Sequence, residues 1–96
     1  MNTEISNTII AYLARYEPKR ISVFGSYARN EQTPESDLDL MVSFGQKLTL
    51  LDLSKINREL GEKLNLKIDL VTEKSVSPKM KPYIEHDLQI IYHAKE

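Results

Sequence analysis

Short extended runs alternate with amphipathic helical stripes along the whole chain, and none of the runs is long enough to stand alone. Ile5, Ile9, Tyr12, Leu13 and Tyr16 recur at spacings of three and four, which predicts a helix over 4–16 with one apolar stripe. Thr3 is expected to cap this helix and Pro18 to stop it. Arg20-Ile-Ser-Val-Phe reads as a first strand, ended by Gly25. Ser26 to Glu31 reads as a short helix closed at Thr33-Pro34, and Asp37 to Phe44 as a second strand punctuated by Gly45. Leu50, Leu53, Ile56, Leu60 and Leu64 mark the longest helix, 49–64, with Thr49 as its N-cap. Lys67 to Thr72 is a third strand, Ser77-Pro78 opens a helix running to about Asp87, and Leu88 to His93 is a last short strand. This order predicts one α/β (α+β) domain over residues 1–96, a small mixed sheet with helices packed on it.

Composition narrows what such a domain can do. Of 96 residues, 41% are hydrophobic and 28% charged, the balance of a globular chain and not of a disordered one. A net charge of -1 argues against a stand-alone nucleic-acid binder. With no cysteine, a disulfide scaffold and a thiolate zinc site are both excluded. No apolar run approaches the ~18 residues of a membrane span. The acidic start Met-Asn-Thr-Glu-Ile lacks the apolar stretch of a signal peptide, so the cytoplasm is the expected location.

Three features carry chemistry. Gly25-Ser26 ends an apolar strand just before a helical segment, where glycine permits a sharp turn and unpaired N–H groups favour a phosphate. Taken alone, that pair reads more readily as a turn and a cap. Asp37 and Asp39 flank Leu38 in an otherwise apolar strand, so alternation sends both to one face and Leu38, Leu40 and Val42 to the other. Paired carboxylates there are costly unless a cation such as Mg²⁺ neutralises them, although an edge strand facing water also carries such charge. Asp69 is again a lone carboxylate in an apolar strand. If the third strand lies beside the second with matching faces, Asp69 joins Asp37 and Asp39 around one space. That is enough for two metal ions, with Asp69 as a candidate general base.

Gly25-Ser26, ten intervening residues, then Asp37-Leu38-Asp39 resembles the G-S-x10-D-x-D signature of the polymerase-β-type nucleotidyltransferases. Gly25-Ser26-Tyr27-Ala28-Arg29, Ser36-Asp37-Leu38-Asp39-Leu40 and Lys67-Ile68-Asp69-Leu70-Val71 resemble the corresponding runs of the minimal nucleotidyltransferases, the antitoxin half of HEPN toxin–antitoxin pairs. The resemblance covers about residues 5 to 93. It implies a polymerase-β-like fold and AMP transfer from ATP to a tyrosine hydroxyl of a cognate HEPN ribonuclease toxin, with release of pyrophosphate. It further implies that Gly25 and Ser26 hold the terminal phosphates and that Asp37 and Asp39 ligate two Mg²⁺ ions. Asp69 would ligate the catalytic ion and assist deprotonation. Arg29 is a candidate phosphate contact, with a salt bridge to Glu31 or Glu35 as its alternative. The implied partner is the toxin in a hetero-oligomer, with no membrane and no stable nucleic-acid contact. An antitoxin that neutralises by binding alone, and a transferase acting on a small molecule or a tRNA end, are the competing readings. The absence of a second, acceptor-holding domain independently suggests that a protein partner supplies the other wall of the cleft.

Other residues read as structural. His86 and His93 have no carboxylate partner at ligand spacing, and Tyr12, Tyr16, Tyr83 and Tyr92 are expected to pack. Tyr27 is a candidate for stacking on a base but must also pack its own segment. Lys74, Lys79 and Lys81 read as a solvated basic face, and helix 49–64 as core whose rim could meet a partner.

Overall fold

The computed structural model describes residues 2–95. Helix α1 spans Thr3–Leu13, strand β1 Pro18–Phe24, β2 Leu38–Phe44, helix α2 Leu50–Leu64, β3 Ile68–Thr72, helix α3 Lys81–Asp87 and β4 Gln89–His93. The sheet order is β3-β2-β1-β4. β1 runs antiparallel to both β2 and β4, whereas β2 and β3 are parallel. A parallel pair needs a crossover, and α2 supplies it. The mixed sheet expected from the sequence is therefore present, with α1 and α2 against one face.

That face forms the core. Ile9 and Leu13 of α1, Ile56 and Leu60 of α2, and Ile21, Val23, Leu38, Leu40 and Val42 of the sheet are all fully buried. Strand alternation explains the set: Ile21 stands opposite Val42 and Val23 opposite Leu40, so their side chains share a face. Tyr12 links the two helices by donating its hydroxyl proton to Glu59 Oε1 at 2.5 Å. A capping box holds the start of α2, where Thr49 Oγ1 accepts from the Asp52 amide at 3.1 Å and Asp52 Oδ2 accepts from the Thr49 amide at 2.9 Å.

Several local expectations are corrected. Asn2, not Thr3, caps α1, its Oδ1 accepting from the Glu4 amide at 2.7 Å. The helix gives way at Ala14 to a 3₁₀ turn, and Pro18 is the buried first residue of β1. Residues 26–30 form a succession of turns and not a helix: the Arg29 amide bonds Gly25 O at 3.2 Å, and Asn30 at φ 58° closes the segment. Asp37 lies just before β2. Ser77–Met80 is a turn, so Pro82 and not Pro78 sits in the first turn of α3. Leu50, taken as core, is 83% exposed because it opens α2 beyond the sheet, and Leu51 beside it is equally exposed. Tyr83 is exposed and does not pack. Among the described residues no helix is long and apolar enough to cross a membrane.

Candidate active site

The second face of the sheet is the more polar one. Opposite the helices stand Arg20, Ser22 and Phe24 of β1, Asp39 and Met41 of β2, and Asp69 of β3. The parallel register sets Asp39 directly against Asp69, two carboxylates on adjacent strands. Their apolar neighbours Leu38, Leu40, Ile68 and Leu70 are buried on the other side, so the pattern that builds the core also fixes where the acids point.

Gly25 completes the corner. Phe24, the last residue of β1, pairs with Asp39, so the chain turns at Gly25 directly over that carboxylate. Gly25 has φ +75°, and a Cβ built on it would overlap Asp39 Oδ2. Only glycine satisfies both conditions. In the turn that follows, the amides of Ser26, Tyr27 and Ala28 have no protein acceptor among the described residues. Successive free N–H groups of this kind form an anion-binding concavity without requiring a full helix.

Electrostatics mark the same spot. The Asp39 carboxyl is pushed up from 3.8 to about 6, first by burial and then by the charges of Asp69 and Asp37, with Arg29 opposing them. Asp37 is drawn sideways toward Lys67, whose Nζ lies 3.9 Å from Asp37 Oδ2. Asp69 is exposed. The three carboxylates thus lie at one end of β2 and β3, close enough for Asp37 and Asp69 both to act on Asp39. Among the described residues no three acidic or histidine side chains are drawn together closely enough to hold a metal ion as they stand. The donor set nonetheless suits a hard divalent cation: oxygen-only ligands, an under-neutralised half-buried carboxylate, and a cradle a side chain at position 25 would fill.

Arg29 donates to Asp87 Oδ2 at 2.7 Å through Nη1 and to Glu31 Oε2 at 3.1 Å through Nε. The Glu31 partner was expected and Glu35 is not used. Asp87 was out of reach of the sequence. Arg29 holds the Asp87 carboxyl below the usual carboxylate range, with a smaller contribution from His86. Gln89 reinforces this junction by donating Nε2–H to Ala28 O at 2.9 Å. Tyr27 is buried in the core cluster, which removes its ring from base stacking. His86 and His93 are exposed. Lys67 is the site residue that sequence reasoning passed over, and its place two residues before Asp69 was the available signal.

The family model described as polymerase beta, nucleotidyltransferase matches residues 7–96. The chain belongs to this nucleotidyltransferase family. A Methanocaldococcus jannaschii protein, provisionally named a protein adenylyltransferase, is 46% identical to it over 81 residues, covering 84% of this chain and 87% of that one. A solved structure, provisionally described as a minimal nucleotidyltransferase, shares 32% identity at a TM-score of 0.75, over 88% of this chain and 86% of the other. A chain in the structure of a tri-AMPylated Shewanella oneidensis HEPN toxin with its MNT antitoxin superposes at a TM-score of 0.79 and 22% identity, covering 98% of this chain and 74% of that one. This nucleotidyltransferase accordingly has a minimal, mixed α/β catalytic fold.

Proposed function

We propose that this nucleotidyltransferase is an antitoxin that transfers AMP from ATP to a tyrosine hydroxyl of a HEPN ribonuclease toxin, and that it needs Mg²⁺ to do so. The observation that carries the reading is the in-register Asp39–Asp69 pair beneath the Gly25 turn. It is supported by relatives named for protein adenylyl transfer and by a fold neighbour solved in complex with tri-AMPylated toxin.

In this reading Gly25 brings the backbone close to the terminal phosphates, and the free amides of 26–28 with the Ser26 hydroxyl donate to their oxygens. Arg29 places positive charge beside that turn while its two carboxylate partners hold it in position. Asp37 and Asp39 would hold two Mg²⁺ ions, and Asp69 would share one. When bound, such ions neutralise the triphosphate and lower the pKa of the attacking hydroxyl. Asp69, on the exposed side, accepts the phenolic proton as general base. The tyrosine oxygen bonds to the α-phosphorus, the bond from that phosphorus to the bridging oxygen breaks, and pyrophosphate leaves. For Asp37 to hold a cation, Lys67 would give up its 3.9 Å contact with Asp37 Oδ2.

The chain incubated with ATP, Mg²⁺ and its proposed partner, a HEPN toxin from the same genome, should add the mass of AMP to a toxin tyrosine. The Asp37→Ala/Asp39→Ala chain should add none. Undiminished transfer by that double variant, or no transfer by the wild type, sinks the proposal. Label appearing instead on tRNA or on a small molecule would assign a different acceptor.

A further inference from the structure

The opposite end of the sheet holds a second concavity, and we propose that it is a binding site for a mononucleotide-sized anion with a flat apolar portion. β1 begins where β2 ends, with Pro18 opposite Phe44, and the parallel register brings Thr72 of β3 to the same end, opposite Val42. Three segments far apart in sequence therefore each deliver a lysine to one cavity of about 480 Å³: Lys19 from β1, Lys47 from the loop after β2, and Lys74 from the 3₁₀ turn after β3. That volume lies within the range of small-molecule sites.

Among the described residues its charge is not balanced from within. Among the described residues none of the three lysines stands in an ion pair. Among the described residues two acids stand at this end. Glu73 lines the cavity but is bound by Arg20, and exposed Glu17 offers its backbone carbonyl, not its carboxylate, to the Gly45 amide at 2.8 Å. In a chain of net charge -1, three ammonium groups around one cavity are a local excess that an anion would relieve. The wall beneath them is apolar: Phe44 and Leu48 are partly buried against the core, and Tyr16 sets the Phe44 ring edge-on at 6.4 Å between centroids. A bare anion would leave this wall in water, whereas a ring system would cover it.

The site is distinct from the carboxylate corner. Asp39 and Phe44 are five residues apart on one strand, roughly 16 Å at the rise of an extended chain. Its test is therefore independent of AMP transfer. Amide chemical shifts of the Asp37→Asn/Asp39→Asn chain are followed while AMP, and separately inorganic phosphate, is added. Shifts should move at residues 43–48 and 72–74, AMP should bind more tightly than phosphate, and rising salt should weaken both. Lys19→Gln/Lys47→Gln/Lys74→Gln on the same background should raise the AMP Kd about tenfold or more while the remaining shifts report an intact fold. Unchanged affinity in the lysine variant, or shifts confined to the Gly25 turn, overturns the site. Equal affinity for phosphate and AMP overturns the role of the apolar wall.

Discussion

The two faces of β2 differ in what they are built to do. On one, Leu38, Leu40 and Val42 are sealed beneath the helices with no exposed surface. On the other, Asp39 is half-buried among like charges, its carboxyl raised to about 6. Residues adjacent in sequence thus work in opposite directions, one stabilising the fold and the next costing stability to keep negative charge beside the Gly25 turn. Stability and chemistry are separated by a period of two residues, not by distance along the chain.

The largest test of that division replaces Asp39 with Asn. Transfer to the proposed toxin acceptor should fall at least about a thousandfold, roughly 4 kcal/mol of barrier, while the melting temperature rises. Leu40→Ala should show the reverse. It should lose about 2–5 kcal/mol of stability in urea titrations, with activity per folded molecule retained. Gly25→Ala breaks the boundary between the faces, since it strains a positive φ and collides with Asp39. It should cost about 1–3 kcal/mol and abolish most activity, read by denaturation and by transfer on the same sample.

How much of this division a reader of the sequence could see depends on range. The acids at 39 and 69, the glycine turn and the Thr49 cap of α2 rest on local periodicity and spacing, and each was legible. The Arg29–Asp87 bridge spans 58 positions and joins the turn after β1 to the end of α3, so no periodicity announces it. Residues 26–31 carry helix-compatible residues, yet Asn30 in the left-handed region stops the segment after a single turn. Leu50 fits the helical stripe of α2 but lies beyond the edge of what the sheet covers, a matter of tertiary placement and not of pattern. The Lys67–Asp37 ion pair was also hidden, because the two residues meet only where the start of β2 pairs with the start of β3.

A smaller effect sharpens the comparison through pH. The folded chain binds the Asp39 proton more tightly than the unfolded chain, whose carboxyl titrates near 3.8. Stability contributed by this group is therefore full below about pH 4 and lost as pH rises through about 6. After discounting for solvent screening the loss is on the order of 1 kcal/mol. Thermal unfolding of wild type against Asp39→Asn should show the variant's advantage at pH 7 vanish near pH 4. An advantage independent of pH would contradict the assignment.

The central claim, that the polar face gathers divalent cations at the end of β2 and β3, is tested most directly by paramagnetic broadening. Mn²⁺ added with a non-hydrolysable ATP analogue should bleach the amide signals of Gly25, Ser26, Asp39 and Asp69 and leave those of residues 43–48 sharp. Asp37→Asn/Asp39→Asn should abolish the effect. Bleaching centred elsewhere, or unaltered in the double variant, would contradict the account.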